Sequence, residues 1–404
     1  MEKQEKYLET DDQTRVIPSE SALEEYFKFR QTHDITGGSS KFGEVKDGRV
    51  YTTECHALGV IDAPLFNSDI RKKEGFSDEE LSDESFSEAA SSNQYLMVIP
   101  IDDKLQVCAV RDNALRDVLK IAGCDCPMAL TVAENRQRKP QAAEFRSAMV
   151  TNGLHAYKHK AHVLIRDGKL EHFKGPRYQV LPEWDGYHAL KSYLDAEYPN
   201  NSYVSGEVSH EYLSVILDTG DDLACVNLKE TLISTGYNAT NVSLHLRYTT
   251  SEVGNAAMRV TPLFNIDGID IPLAEGIEVR HDAGNSIDML ASKFPHIAEM
   301  AKEAEDAVEV LGNTDIKHLD GCFQRIADEL NIFPAQRVND KINELSLVGS
   351  GTAIDIYLSL IEVATLMLAN KHDVGLYVRS SEAIAKTLHW NYKNFDKAVM
   401  DDED

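Results

Sequence analysis

Followed as alternating apolar and polar positions, the chain changes character twice. Residues 1–94 carry little period. One short exception, "SALEEYFKFRQ" from Ser21, puts Leu23, Tyr26, Phe27 and Arg30 on one face of a predicted helix. Around it, "GGSSKFGEVKDGR" is rich in turn formers, and "EGFSDEELSDESFSEAASSNQ" from Glu74 mixes acids and serines with few apolar residues, the composition of a solvated linker. From Tyr95 short β-branched or alternating runs take over: "YLMVIPI", "LQVCAV", "MALTVA", "AHVLIRDGKLEHF", "SYVSGEVS", "YLSVILDT", "LACVNL", "VSLHLRYTTS" and "MRVTPLF". Turns such as "RDG", "DTGDD" and "NIDG" separate them, and "ALRDVLKIAG" and "YHALKSYLDAEY" interrupt with helical spacing. After Gly284 the 3.6-residue period dominates, through "SIDMLASKFPHIAEMAKEAEDAVEVL", "CFQRIADEL", "RVNDKINEL", "TAIDIYLSLIEVATLMLAN" and "SSEAIAKTLHW". The pattern predicts an α+β protein: a partly extended arm over 1–94, a largely antiparallel sheet domain over 95–283, a helical region packed on the sheet over 284–395, and an acidic tail over 396–404.

Charge sharpens this picture. The 404 residues carry a formal net charge of -26, which favours solubility and disfavours unspecific adhesion to nucleic acid or anionic membrane. Yet from Thr131 to Val180 ten Lys and Arg face only four acids. His155, His159, His162 and His172 lie in the same window, and so do Phe145, Tyr157, Phe173 and Tyr178. Cations that replace phosphate counterions, interleaved with aromatic faces for unstacked bases, are what single-strand binding requires. The same residues also suit a helix and a hairpin whose charges face water or pair with acids elsewhere in the fold. The terminal "MDDED" reads either as a phosphate mimic lying across a basic groove or as an ordinary solvated end.

Other chemistry is thinly represented. Six cysteines without pattern suit reduced thiols. "CDC" (Cys124, Cys126) before His155, His159 and His162 has too short a spacing for the usual zinc pair, so neither metal nor cofactor is expected. P-loop, HExxH, GxSxG and GxGxxG motifs are absent, and "VRHDAGN" offers Arg280, His281 and Asp282 as a possible acid-base group without a nucleophile. A structural Arg-His pair at the entrance to the helical region is the competing reading. "IYLSLIEVATLMLA" contains Glu362 and falls short of the roughly 20 residues of a membrane span, so a buried helix and no membrane contact are expected. The polar start "MEKQEKYLETDDQTR" lacks the order of a signal peptide.

"RYQVLP" from Arg177, "YTTSEVGNAAMRVTPLF" from Tyr248, "VRHDAGN" and "TAIDIYLSLIEVAT" occur in an order that resembles the phage/plasmid-like protein family, whose members are encoded by phages, prophages and conjugative plasmids. Ser251, Glu252, Val253, Gly254, Arg280 and His281 match its motifs, while "FNIDGID" stands where the family has an Arg-Cys-x-Asn-Gly element, the mark of a divergent member. The resemblance spans roughly 170–395 and implies a mobile-element protein in the cytoplasm of an infected bacterium, with no catalytic residue carried over. Gly254 suits a bend after a strand, and Glu252 suits a backbone amide or a cation.

Charge and resemblance together lead to the expectation of a non-enzymatic phage protein that binds or anneals single-stranded DNA in replication or recombination. Arg136, Arg138, Lys139, Arg146, Lys158, Lys160, Lys174 and Arg177 are its candidate phosphate contacts, and Phe145, Tyr157 and Tyr178 its candidate stacking residues. The alternatives are an acidic decoy that occupies a host DNA-binding or defence factor, docking on phage replication proteins through the acidic surface or tail, and a homo-oligomeric structural protein.

Overall fold

The structure is a computed structural model that describes residues 14–33, 39–40, 43–44, 49–60, 95–101, 104–124, 139–166, 169–209, 212–220, 225–234, 239–254, 256–272, 276–371 and 374–399. In chain order its main elements begin with β1 (Arg15–Ile17), α1 (Glu20–His33), β2 (Arg49–Tyr51), β3 (His56–Val60), β4 (Tyr95–Ile101), β5 (Lys104–Val110), α2 (Asp112–Ile121), α3 (Lys139–Tyr157), β6 (Lys160–Arg166) and β7 (Lys169–Lys174). There follow α4 (Glu183–Glu197), β8 (Ser202–Val208), β9 (Leu213–Asp218), α5 (Val226–Ser234), β10 (Val242–Thr250), β11 (Met258–Ile266), β12 (Ile269–Pro272) and β13 (Ile277–Val279). The last helices are α6 (Ile297–Gly312), α7 (Leu319–Leu330), α8 (Ala335–Val348), α9 (Ala353–Lys371) and α10 (Val374–Thr387). The fold is α+β, as its strand and helix periods predict.

Of the described residues, those within 24–180 and 281–284 form one unit, and those within 10–23, 181–280 and 285–404 form a second. Where the strand pattern predicts one sheet over 95–283, each unit has its own. A run of strands cannot reveal this, because hydrophobic alternation sets which face is buried but not which strands pair.

The first unit holds a six-stranded sheet in the order β2-β6-β7-β5-β4-β3. Two of these strands come from the segment read as an arm. All pairs are antiparallel except β5 with β7, where Ala109 and Val110 stand opposite Lys169 and Leu170. Strand alternation sends Met97, Ile99, Cys108, Val110, Val163, Ile165, Leu170 and Phe173 into a core with Ala114 and Val118 of α2 and Val150 and Leu154 of α3. Gly153 fits this core because a Cβ there would stand 2.0 Å from the carbonyl oxygen of Ala122. A bulge in the β6-β7 hairpin accommodates Glu171, which is fully buried and receives the Arg111 Nε at 2.8 Å. Burial pushes the Glu171 carboxyl up, against the opposing charges of Arg111, Arg166 and Arg30.

The second unit orders its strands β1-β8-β9-β10-β11-β12, with β13 also paired to β11. Leu244, Phe264, Ile266 and Ile271 of the sheet share a core with α5, α6, α7 and α9. "LACVNL" is a correction: Val226–Ser234 is a helix that buries Leu228 and Leu232 one turn apart, with Cys225 buried before it. A short apolar run fits either period, and the four-residue spacing decides here. "MALTVA" lies outside the described residues. The segment after Phe395 is docked: Asp396 accepts from the Lys317 and His318 amides at 2.9–3.1 Å, and Arg325 donates to the carbonyls of Lys397 and Ala398 at 2.7 Å. The acids 401–404 lie outside the described residues. No helix among the described residues is long and apolar enough to cross a membrane.

Candidate functional site

The described part of the cationic window runs along α3 and through β6 and β7, two interior strands of the first sheet. Helix α3 stops at Tyr157, and Lys158 takes a left-handed backbone (φ 56°) that turns the chain into β6. The His159 carbonyl is held by the Thr52 hydroxyl at 2.9 Å and its amide at 3.4 Å. Lys160 opens β6, and Lys174, opposite His162, closes β7; a turn then leads to Arg177. The open end of this hairpin thus collects Lys158, Lys160, Lys174 and Arg177. Lys158 and Arg177 are exposed, Lys160 is half-buried, and Lys174 is half-buried in an ion pair with Asp117.

The remaining candidates are distributed differently. Arg136 and Arg138 lie outside the described residues. Lys139, Phe145 and Arg146 are placed on α3 by its backbone alone, Lys139 about 27 Å along the axis from Tyr157 at 1.5 Å per residue. The ring of Tyr157 is half-buried and packs edge-on against His159, with centroids 5.1 Å apart.

Tyr178 stands in a ring cluster. It stacks on His281 at 5.3 Å with planes 3° apart, and meets the edges of His172 and His162 at 4.9 and 6.0 Å. The backbone builds this contact. Gln179 N donates to the His281 carbonyl at 2.9 Å, Ala283 N donates to the Arg177 carbonyl at 2.7 Å, and Tyr178 bridges to Asp282. Two of the segments that carry the family resemblance therefore pair with each other. With its ring engaged in this way, Tyr178 acts as a wedge that holds the segment in place, and Tyr157 is left as the described candidate for stacking.

His281 is buried, and burial draws its pKa down to about 4, so its imidazole is neutral at pH 7. Its Nδ1 lies 3.2 Å from the Gln179 carbonyl, an acceptor only, which fixes the proton on Nδ1. Nε2 then carries a lone pair, and it has no hydrogen-bond partner among the described residues. Arg280 points elsewhere: its side chain is 73 % exposed and its Nε lies 3.3 Å from Glu278. The Arg-His-Asp run is thus a turn, and its side chains do not form one acid-base group. Cys124 is buried with its thiol near the carbonyls of Ala122 and Met149, and Cys126 lies outside the described residues. No trio of metal-ligating side chains is gathered among the described residues.

The "SEVG" segment holds a helix end. Gly254 (φ 74°) closes a turn by donating to the Ser251 carbonyl at 2.9 Å, and Glu252 accepts from the Glu183 amide at 3.3 Å, in the first turn of α4. Tyr248 donates to the Glu183 carbonyl at 2.7 Å, and burial drives its phenol far above the ordinary range. Helix N-termini leave amides unsatisfied, and a carboxylate placed there also opposes the positive end of the helix dipole. Glu252 takes the backbone-amide role open to it in the sequence.

A further constellation carries no linear motif of its own. On β10 the Ser243 hydroxyl lies 3.2 Å from His245 Nε2, and His245 Nδ1 lies 2.8 Å from Asp270 Oδ1 on β12. Asn265 Nδ2 donates to the same carboxylate oxygen at 2.9 Å, and Asp218 Oδ2 stands 3.9 Å from Nε2. The available signal is Ser-x-His in a strand, where a two-residue spacing puts both side chains on one face. The partner acid is brought back by the "NIDG" turn, and nothing in a linear spacing announces that. The chain matches no protein-family profile, no curated protein and no solved structure.

Proposed function

We propose that the protein binds single-stranded DNA along α3 and the open end of the β6-β7 hairpin, as a mobile-element protein acting in replication or recombination within the host bacterium. The observation that carries this reading is the convergence of Lys158, Lys160, Lys174 and Arg177 at one sheet end in a chain of net charge -26. Exposed Lys158 and Arg177 contact phosphate first, and Tyr157 supplies a ring beside them for an unstacked base. The acidic remainder repels nucleic acid, which confines binding to this track. The kinship with the phage/plasmid-like family belongs to the same proposal and rests on the motif order.

Fluorescence anisotropy with labelled single strands tests it. Four phosphate contacts give a log-log salt slope of about -3, and the double variant Lys158→Ala, Arg177→Ala lowers the magnitude to about 1.5. Duplex of equal length binds more weakly. Unchanged affinity and slope in the double variant overturn the assignment of these residues.

A further inference from the structure

We propose that Ser243 is a nucleophile for carboxylic esters, activated by His245 and positioned through Asp270. This is independent of DNA binding and lies wholly in the second unit. Leu244, Leu246 and Tyr248 bury one face of β10, so Ser243, His245, Arg247 and Thr249 share the other. Register places Asp218 of β9 opposite His245, and Asn265 opposite both Ser243 on β10 and Asp270 on β12.

The hydrogen bonds assign the protons. Burial opposes ionisation of Asp270, but hydrogen bonds from His245 and Asn265 and the charge of Arg247 outweigh it and hold the carboxyl below its ordinary range. An ionised Asp270 accepts a hydrogen bond from the Nδ1–H of His245, so Nε2 is left to accept from the Ser243 hydroxyl. Nucleophile, base and orienting acid thus stand in the relation that acyl transfer by serine requires. Asp218, oriented by the Gly220 amide at 2.8 Å, supplies a second negative charge near the imidazolium that proton transfer creates.

Ser243 is half-buried, whereas His245 is buried, and the chain after β9 continues beside β10, with the Thr219 amide and hydroxyl both donating to the Leu244 carbonyl at 3.0 Å. In the reaction Ser243 Oγ forms a bond to the ester carbonyl carbon while its proton moves to Nε2. Collapse of the tetrahedral adduct breaks the carbon-oxygen bond to the alcohol, which leaves with that proton. Water then attacks the acyl-serine, gives a proton to Nε2, and the returning proton restores Ser243 as the carboxylic acid departs.

The test is labelling of the full chain by a fluorophosphonate, with peptide mapping by mass spectrometry and p-nitrophenyl acetate turnover alongside. The expected result is a single adduct on Ser243. Its formation is lost in Ser243→Ala, and its rate falls at least ~10²-fold in both His245→Gln and Asp270→Asn. Circular dichroism verifies that each variant is folded, and Ser243→Ala, which removes only a hydroxyl, remains informative if a His245 variant unfolds. Absence of labelling in the unaltered chain, labelling retained in Ser243→Ala, or a rate insensitive to Asp270→Asn in the folded variant overturns the proposal.

Discussion

At the scale of single residues, His281 ties protonation to folding. In the unfolded chain an imidazole titrates near 6.5, while burial holds His281 near 4 in the native state. Between these values the unfolded chain binds a proton that the native chain refuses. The folded pKa is depressed, so this contribution is whole above about pH 6.5 and is lost as pH falls toward 4. The loss is roughly 2 kcal/mol by pH 5 and about 3 kcal/mol by pH 4. Urea unfolding at pH 8, 6 and 5 measures it, and His281→Gln flattens the dependence by that amount. The sequence singles out Arg280 and His281 as neighbours, but adjacent residues in a turn take opposite environments, one exposed and one buried. Ser243 and His245 are legible as a same-face pair. Their link to Asp270 is not, because it depends on β11 and β12 folding back across β10.

At the scale of elements, α4 depends on a side chain 69 positions away. Glu252 accepts the Glu183 amide and so relieves one of the unpaired donors of the first turn. Pro182 precedes that turn without offering a side-chain acceptor, which leaves the task to a distant residue. Glu252→Ala is expected to lower stability by about 1 kcal/mol, and Glu252→Gln, which keeps an acceptor oxygen, by less. Thermal unfolding of the two variants against the parent measures the difference. Elements with a long period were legible, among them α1, α9 and the strands β10 and β11. "LACVNL" was not, since six mostly small or apolar residues satisfy a strand as well as a helix until Leu228 and Leu232 are seen to share a core. The cationic hairpin end was half legible: "RDG" announces the β6-β7 turn, which places Lys160 and Lys174 together at its open end, but the exposure of Arg177 and the ion pair of Lys174 depend on neighbours from elsewhere in the chain.

At the scale of the whole molecule, charge has two consequences of opposite sign. A net charge of -26 on 404 residues repels itself in the compact state. Salt screens that repulsion, with a Debye length that falls from about 30 Å at 0.01 M to about 10 Å at 0.1 M. Raising salt through this range is therefore expected to raise the unfolding midpoint in urea. On the proposed DNA binding at the hairpin end, the same change weakens affinity, since releasing the same counterions into a more concentrated solution gains less free energy. If the local cationic surplus of residues 131–180 were neutralised by acids packed against it, the net charge and its repulsion would remain, but no steep salt dependence of DNA binding would accompany the rise in midpoint. Measuring both on one salt series separates a segregated charge distribution from a mixed one. Stability rising while affinity falls is the outcome that a nucleic-acid track on an otherwise repellent protein requires.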